Sequence, residues 1–234
     1  MRRRIAAAAE RAQRSPADIR LIAVSKTHPA GTVLDAARAG QIDFGENRVQ
    51  EGLAKIDETR AAVRTEASAK AAGPLEWHLI GHLQTNKARK AAAAFAWIHS
   101  VDSVELAQKL DAGAADFGTH PQLLIQVDLA HEAAKSGADA ADVPAIVAAV
   151  LSARAVRLAG LMIVPPIASD PEDARPWFRQ LRALRDQLLA TGVPAASLRE
   201  LSMGMSHDFE VAIEEGATMV RVGSAIFGHR DYKA

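Results

Sequence analysis

Lys26 is the residue whose type and place could do covalent chemistry. It follows the apolar run Leu21-Ile22-Ala23-Val24-Ser25, so it stands at the tip of a strand that a core would bury. Partial desolvation disfavours the ammonium and lowers its pKa, and the neutral amine is the form that condenses with a carbonyl as a Schiff base. A strand-end lysine can equally extend into water, so Lys26 alone decides nothing. The carboxyl-terminal segment Arg221-Val222-Gly223-Ser224-Ala225-Ile226-Phe227-Gly228 adds a second component. Its glycines let backbone N–H groups approach an anion, and Ser224 adds a hydroxyl. Upstream, Met203-Gly204-Met205-Ser206-His207-Asp208 leads from strand towards helix. Ser206 there could serve a phosphate at the helix start or simply cap the helix. An amine with a phosphate cup suits a phosphorylated aldehyde or ketone, and both pyridoxal 5′-phosphate (PLP) and triose-phosphate-like compounds meet that description.

These residues need a frame that brings the start and end of the chain together. Eight short apolar runs read as strands: Ile19–Lys26, Gln41–Glu46, Glu76–Gly81, Trp97–Asp102, Gln122–Leu129, Arg157–Pro165, Arg199–Met205 and Met219–Gly228. Several are almost continuously apolar, as in parallel strands covered on both faces. Between them lie helical stretches such as Gly31–Gly40, Asn47–Ala71, Ser103–Phe117, Asp142–Ala153, Pro171–Thr191 and His207–Glu215, with stop signals at Gly40, Gly192 and Gly216. Eight alternations point to an α/β fold, a single (β/α)₈ TIM barrel over residues 1–234, with a doubly wound open sheet as the alternative. In a barrel the chemistry sits at the carboxyl ends of the strands, where Lys26, Asn47, His78, Ser206, Arg221, Gly223 and Ser224 all fall.

The composition excludes several functions. Lys plus Arg and Asp plus Glu number 28 each, so no overall field attracts nucleic acid or an anionic membrane. No apolar run reaches the roughly 20 residues of a spanning helix, and the Arg-rich start lacks a secretion signal's apolar core. Cysteine is absent, which removes disulfides and thiolate sites and fits a reducing, cytoplasmic setting. The histidines form no helical metal-ligand pair, so no metal is expected.

Five motifs in order carry a resemblance: Ala23-Val24-Ser25-Lys26-Thr27; Phe44-Gly45-Glu46-Asn47-Arg48-Val49-Gln50-Glu51; Trp77-His78-Leu79-Ile80-Gly81-His82-Leu83-Gln84-Thr85-Asn86-Lys87; Gly160-Leu161-Met162; and Leu201-Ser202-Met203-Gly204-Met205-Ser206. Over essentially its whole length the chain resembles the YggS/PROSC family of PLP homeostasis proteins. That resemblance implies the alanine racemase barrel (fold type III) without the racemase's extra β-domain, and PLP as cofactor on Lys26. It further implies Arg221 at the pyridine nitrogen, Ser206, Gly223 and Ser224 around the phosphate, Asn47 near the ring hydroxyl, and His78 packed near the ring. For Asn47 and His78 a cap and a core histidine are the competing roles. Arg48 and Asp128 depart from the tyrosine and asparagine expected in many members. The segment Glu132–Gly137, with Lys135, also resembles a family loop.

A guanidinium cannot accept the ring proton, and a neutral pyridine is a poor electron sink. A two-base racemase also needs a second base. The one tyrosine, Tyr232, lies close to the carboxyl terminus, which leaves His78, His82 or His207 to substitute. The expectation is therefore a monomeric PLP carrier that stores PLP or delivers it to apo PLP-dependent enzymes. The alternatives are a weak, one-base PLP-dependent amino-acid racemase and a Schiff-base aldolase acting on a sugar phosphate.

Overall fold

A computed structural model describes residues 1–65, 74–130 and 136–228. Lys135, Tyr232 and the part of the expected Asn47–Ala71 helix beyond Thr65 that reaches Ala71 lie outside them, as does most of the Glu132–Gly137 segment.

Eight strands follow the expected order: β1 (Arg20–Val24), β2 (Asp43–Glu46), β3 (Glu76–Leu79), β4 (Trp97–Val101), β5 (Gln122–Gln126), β6 (Arg157–Met162), β7 (Glu200–Met205) and β8 (Met219–Val222). All neighbouring pairs are parallel, and β8 closes on β1 with Ile22 opposite Arg221, so the sheet is a closed barrel and not an open one. The strands are shorter than the apolar runs suggest. The last one stops at Val222, because Gly223 turns the chain into a short helix over Ser224–Phe227.

Outside the barrel lie α1 (Arg2–Arg11), α2 (Ala30–Arg38), α3 (Val49–Thr65), α4 (Ala88–Ala94), α5 (Val104–Phe117), α6 (Val143–Leu151), α7 (Arg175–Ala190), α8 (Phe209–Glu214) and α9 (Ser224–Phe227). Local chemistry sets their ends. Ser103 Oγ accepts the Leu106 N–H at the start of α5, a capping bond worth about 1 kcal/mol. Between α6 and β6, Asp111 Oδ1 accepts the N–H groups of Arg154, Ala155 and Val156 at 3.0, 2.7 and 3.2 Å. That anchors the connection to α5. The amphipathic α7 buries Phe178, Leu181 and Leu188 against the sheet.

Apolar residues between the helices and the strands' outer faces make the main core. A smaller cluster inside the barrel joins Ile22, Leu124, Met162 and Met219, with Trp97 and Val164 against it. The interior is also polar: His78, His99 and Ser202 are fully buried there and Arg221 almost so. No helix among the described residues is long and apolar enough to cross a membrane.

Candidate functional site

Closure of β8 against β1 places the two halves of the sequence signal side by side. A cavity of about 520 Å³ opens at the carboxyl ends of the strands. Lys26, Asn47, Ser206, Arg221, Gly223 and Ser224 line it together with Val24, Ile80, Val164, Met205 and His207. Six of the seven expected site residues thus meet in one place.

His78 is the exception. It is fully buried in β3, below the cavity and not on its wall. Its ring stacks on Trp97 (centroids 5.6 Å apart, planes within 8°) and bonds His99 and Asp43. His78 takes the place of a core histidine because β3 turns its alternate side chains into the barrel below the mouth.

Lys26 is held by what flanks it. Ser25 Oγ donates to Glu46 Oε1 at 2.7 Å, and Lys55 Nζ donates to the Ser25 carbonyl at 2.6 Å. On the other side Thr27 adopts φ +68°, and its N–H is taken by the Glu51 carboxylate. Lys55 itself bridges Glu46 and Glu51 at 2.7 and 2.9 Å. Burial drives the Glu46 carboxyl upward in pKa, against the pull of Lys55 and Ser25. The Glu51 carboxyl also feels burial, but Lys55 and the Thr27 N–H outweigh it and hold the group down. His28 packs at a tilt against Phe227 of α9 with ring centroids 5.0 Å apart, tying the lysine turn to the end of the barrel.

The opposite wall is prepared for an anion and an acceptor. Ser206 Oγ accepts the Gly223 N–H at 3.1 Å, so the hydroxyl joins the β7 turn to the β8 turn. It does not cap α8, whose N-cap residue is Asp208. No side chain caps α9, and its first N–H groups have no intrahelical acceptor. Arg221 donates from Nη1 to Ser202 Oγ at 2.6 Å and from Nη2 to the Ile163 carbonyl at 2.8 Å. Burial lowers its pKa to about 10, offset only in part by the charge of Asp208. Among the described residues no carboxylate pairs with this guanidinium at salt-bridge distance. Asn47 lies where β2 ends, beside Gly81. A Cβ on Gly81 would come within 2.3 Å of the Asn47 carbonyl, which accounts for the glycine in that motif.

The remaining candidates separate by place. Of the histidines considered as a second base, only His207 reaches the cavity. His207 Nε2 lies 3.0 Å from the Ser169 carbonyl, so that nitrogen carries a proton and donates to it. His82 is exposed, with Nδ1 3.8 Å from Asp102. Arg48 is exposed and off the cavity wall. Asp128 spends its carboxylate on the Ala130 N–H of its own turn at 3.1 Å, so neither departure from the family pattern touches the cavity. Among the described residues no group of acidic and histidine side chains could hold a metal ion.

Fold and site define a class: a parallel (β/α)₈ barrel with an amine and a glycine–serine turn sharing one mouth. The family model described as "Alanine racemase, N-terminal domain" matches residues 1–231, and the chain belongs to that family. It is 44% identical over 232 residues to a protein of Pseudomonas aeruginosa named pyridoxal phosphate homeostasis protein, covering 99% of this chain and 93% of that one. A protein of the same name from Aquifex aeolicus is 41% identical over 98% of this chain and 95% of its own length. Among solved structures, PipY of Synechococcus elongatus with PLP bound matches at 42% identity and a TM-score of 0.81, covering 97% and 99% of the two chains. An alanine racemase of Clostridium difficile at 16% identity and a TM-score of 0.68 shares the fold, over 99% of this chain and 56% of its own.

Proposed function

We propose that this chain binds PLP at the barrel mouth, with Lys26 taking its aldehyde as a Schiff base, and that it holds and releases the cofactor in cytoplasmic PLP homeostasis. The observation that carries the reading is the shared cavity: one lysine, one buried guanidinium without a carboxylate, and an uncapped hydroxyl-rich turn line it together. The residues fit that group on chemistry as well as place. Arg221 donates to a neutral ring nitrogen and cannot give it a proton's full charge. Gly223, Ser224 and Ser206 offer N–H and O–H groups to the phosphate, while Asn47 stands on the Lys26 side of the mouth. The names and bound ligand of the similar proteins agree with this reading. When bound, PLP supplies an electrophilic carbonyl and a conjugated ring that can store electrons. An arginine at the ring nitrogen weakens the second property, which favours holding over turnover. Apo PLP-dependent enzymes are the natural recipients.

A visible spectrum of the protein incubated with PLP tests the assignment. A band that borohydride bleaches, and that is absent in Lys26→Ala, is expected; a protein that stays colourless removes the reading. His207 supports a second reading, a slow amino-acid racemase, because it lines the cavity. That reading requires solvent deuterium to enter the Cα of some amino acid at a catalytic rate, and requires His207→Ala to abolish it.

A further inference from the structure

Below the cavity, polar side chains from six strands form a continuous chain through the barrel. Arg221 on β8 donates to Ser202 Oγ on β7 at 2.6 Å. Ser202 Oγ lies 2.9 Å from His99 Nδ1 on β4, and His99 Nε2 lies 2.9 Å from His78 Nδ1 on β3. His78 Nε2 lies 3.1 Å from Asp43 Oδ1 on β2, which also accepts from Arg20 on β1 at 2.9 Å. Asp43 and Arg20 line a separate hollow of about 660 Å³ at the amino ends of the strands. The chain therefore runs from one end of the barrel to the wall of the ligand cavity at the other.

Its two ends fix the direction of every link. A guanidinium only donates, so Ser202 Oγ accepts from Arg221, and its one proton has an acceptor in this chain when it goes to His99 Nδ1. His99 must then carry its own proton on Nε2 and give it to His78 Nδ1. His78 in turn carries its proton on Nε2 and donates to the Asp43 carboxylate, which only accepts. Each link has one donor and one acceptor, and both rings are neutral. A second proton on either ring would make Ser202 Oγ accept from both Arg221 and His99 and would leave its own proton without this acceptor inside a buried site, at the cost of an unmade hydrogen bond.

We propose that His78 and His99 are positioning residues for the cofactor: acting through Ser202, they hold Arg221 as a fixed donor facing the mouth and tie its setting to the Arg20–Asp43 pair at the opposite end. Two of the guanidinium nitrogens are already committed, to Ser202 and to the Ile163 carbonyl, so its plane is fixed before a ligand arrives. The functional half of the inference rests on the PLP reading; the order of protons does not.

Long-range proton–nitrogen spectra of histidine-labelled protein without PLP, at neutral pH, test that order. Two neutral rings protonated at Nε2 are expected, assigned by their loss in His78→Asn and His99→Gln. An Nδ1–H ring or an imidazolium at either position overturns the proposal. The second arm measures PLP loss to a competing amine. His99→Gln keeps an oxygen for Ser202 and an N–H for His78, whereas His99→Leu keeps neither. His99→Leu should release PLP about fivefold faster, with a shifted absorption maximum, and His99→Gln should stay within about twofold of wild type. Ser202→Ala removes the hydroxyl with little change in volume, should behave as His99→Leu, and replaces it if the leucine variant does not fold. Equal release from the broken and conservative variants overturns the positioning role. A wild type that takes up no PLP sinks the proposed function and leaves the proton order standing on its spectra.

Discussion

At Gly204 the β7 backbone takes φ +90°, a conformation that side-chain-bearing residues rarely adopt. Space is short there too: a Cβ would meet Ala212 Cβ at 2.5 Å and Phe209 Cα at 2.9 Å. The two penalties fall on the turn that presents Ser206 to Gly223, so a methyl group must either strain the backbone or push α8 outward. Gly204→Ala should lower stability by about 2 kcal/mol or more, measured by urea unfolding, and should weaken PLP retention as Ser206 shifts. Unchanged stability would mean that the turn relaxes without cost. Single residues of this kind were legible in the sequence where their chemistry differs from their surroundings. Lys26 ends an apolar run, and Gly223 and Ser224 interrupt another, so their place at the mouth follows from strand ends alone. Asp43, His99 and Lys55 were not singled out. Their roles depend on partners from other elements, and for Asp43 and His99 a polar position on a buried strand was the available signal. His78 shows the opposite error, because its motif draws the eye to the site while its strand position buries it beneath.

Elements meet at the lysine turn through a buried ion cluster. Lys55 on α3 is almost fully buried and joins Glu46 at the end of β2, Glu51 in its own first turn and the Ser25 carbonyl after β1. Glu46 Oε2 has no hydrogen-bond partner, so the cluster is only just satisfied. Lys55→Met keeps most of the side chain's length and apolar volume but removes the three donors. It leaves Glu46 with the Ser25 hydroxyl alone, at a cost of about 3 kcal/mol in unfolding free energy. Because Glu51 then loses its anchor, the Thr27 turn should loosen and PLP should leave faster. A variant with wild-type urea midpoint and release rate would show the cluster to be dispensable. At this scale the eight strands and six of the helices that follow them were readable, since parallel strands are continuously apolar and flanking helices are amphipathic. Helix α4 was not, because Ala88–Ala94 is short and its only apolar residues are alanines, so it carries little periodic contrast. Nor was α9, whose four residues extend an apolar strand signal until Gly223 turns the chain.

The molecule as a whole should register its polar interior in how stability depends on pH. Burial lowers the pKa of His78, against the raising effect of Asp43, and lowers that of His99 well below 6.5, helped by neighbouring positive charge. In the unfolded chain both rings titrate near the ordinary value, so below about pH 6.5 the unfolded state binds protons that the native state refuses. Stability from these two rings is complete above that value and is lost as pH falls, with a slope approaching about 2.7 kcal/mol per pH unit for two protons. Burial raises the Asp43 carboxyl, but His78 and Arg20 together outweigh it and hold its pKa below the ordinary value, so its contribution is lost at still lower pH. Burial raises the carboxyls of Glu46, Asp102 and Asp208, which take up protons in the native state and offset part of the loss. Comparing variants isolates the rings from those groups. Between pH 7.5 and 5.5, His99→Gln should lose stability less steeply than wild type, by up to about 1.4 kcal/mol per pH unit. Urea midpoints across that range measure it. Parallel curves for the two proteins would mean that His99 takes up a proton within the folded barrel, against the order of donors and acceptors between Arg221 and Asp43.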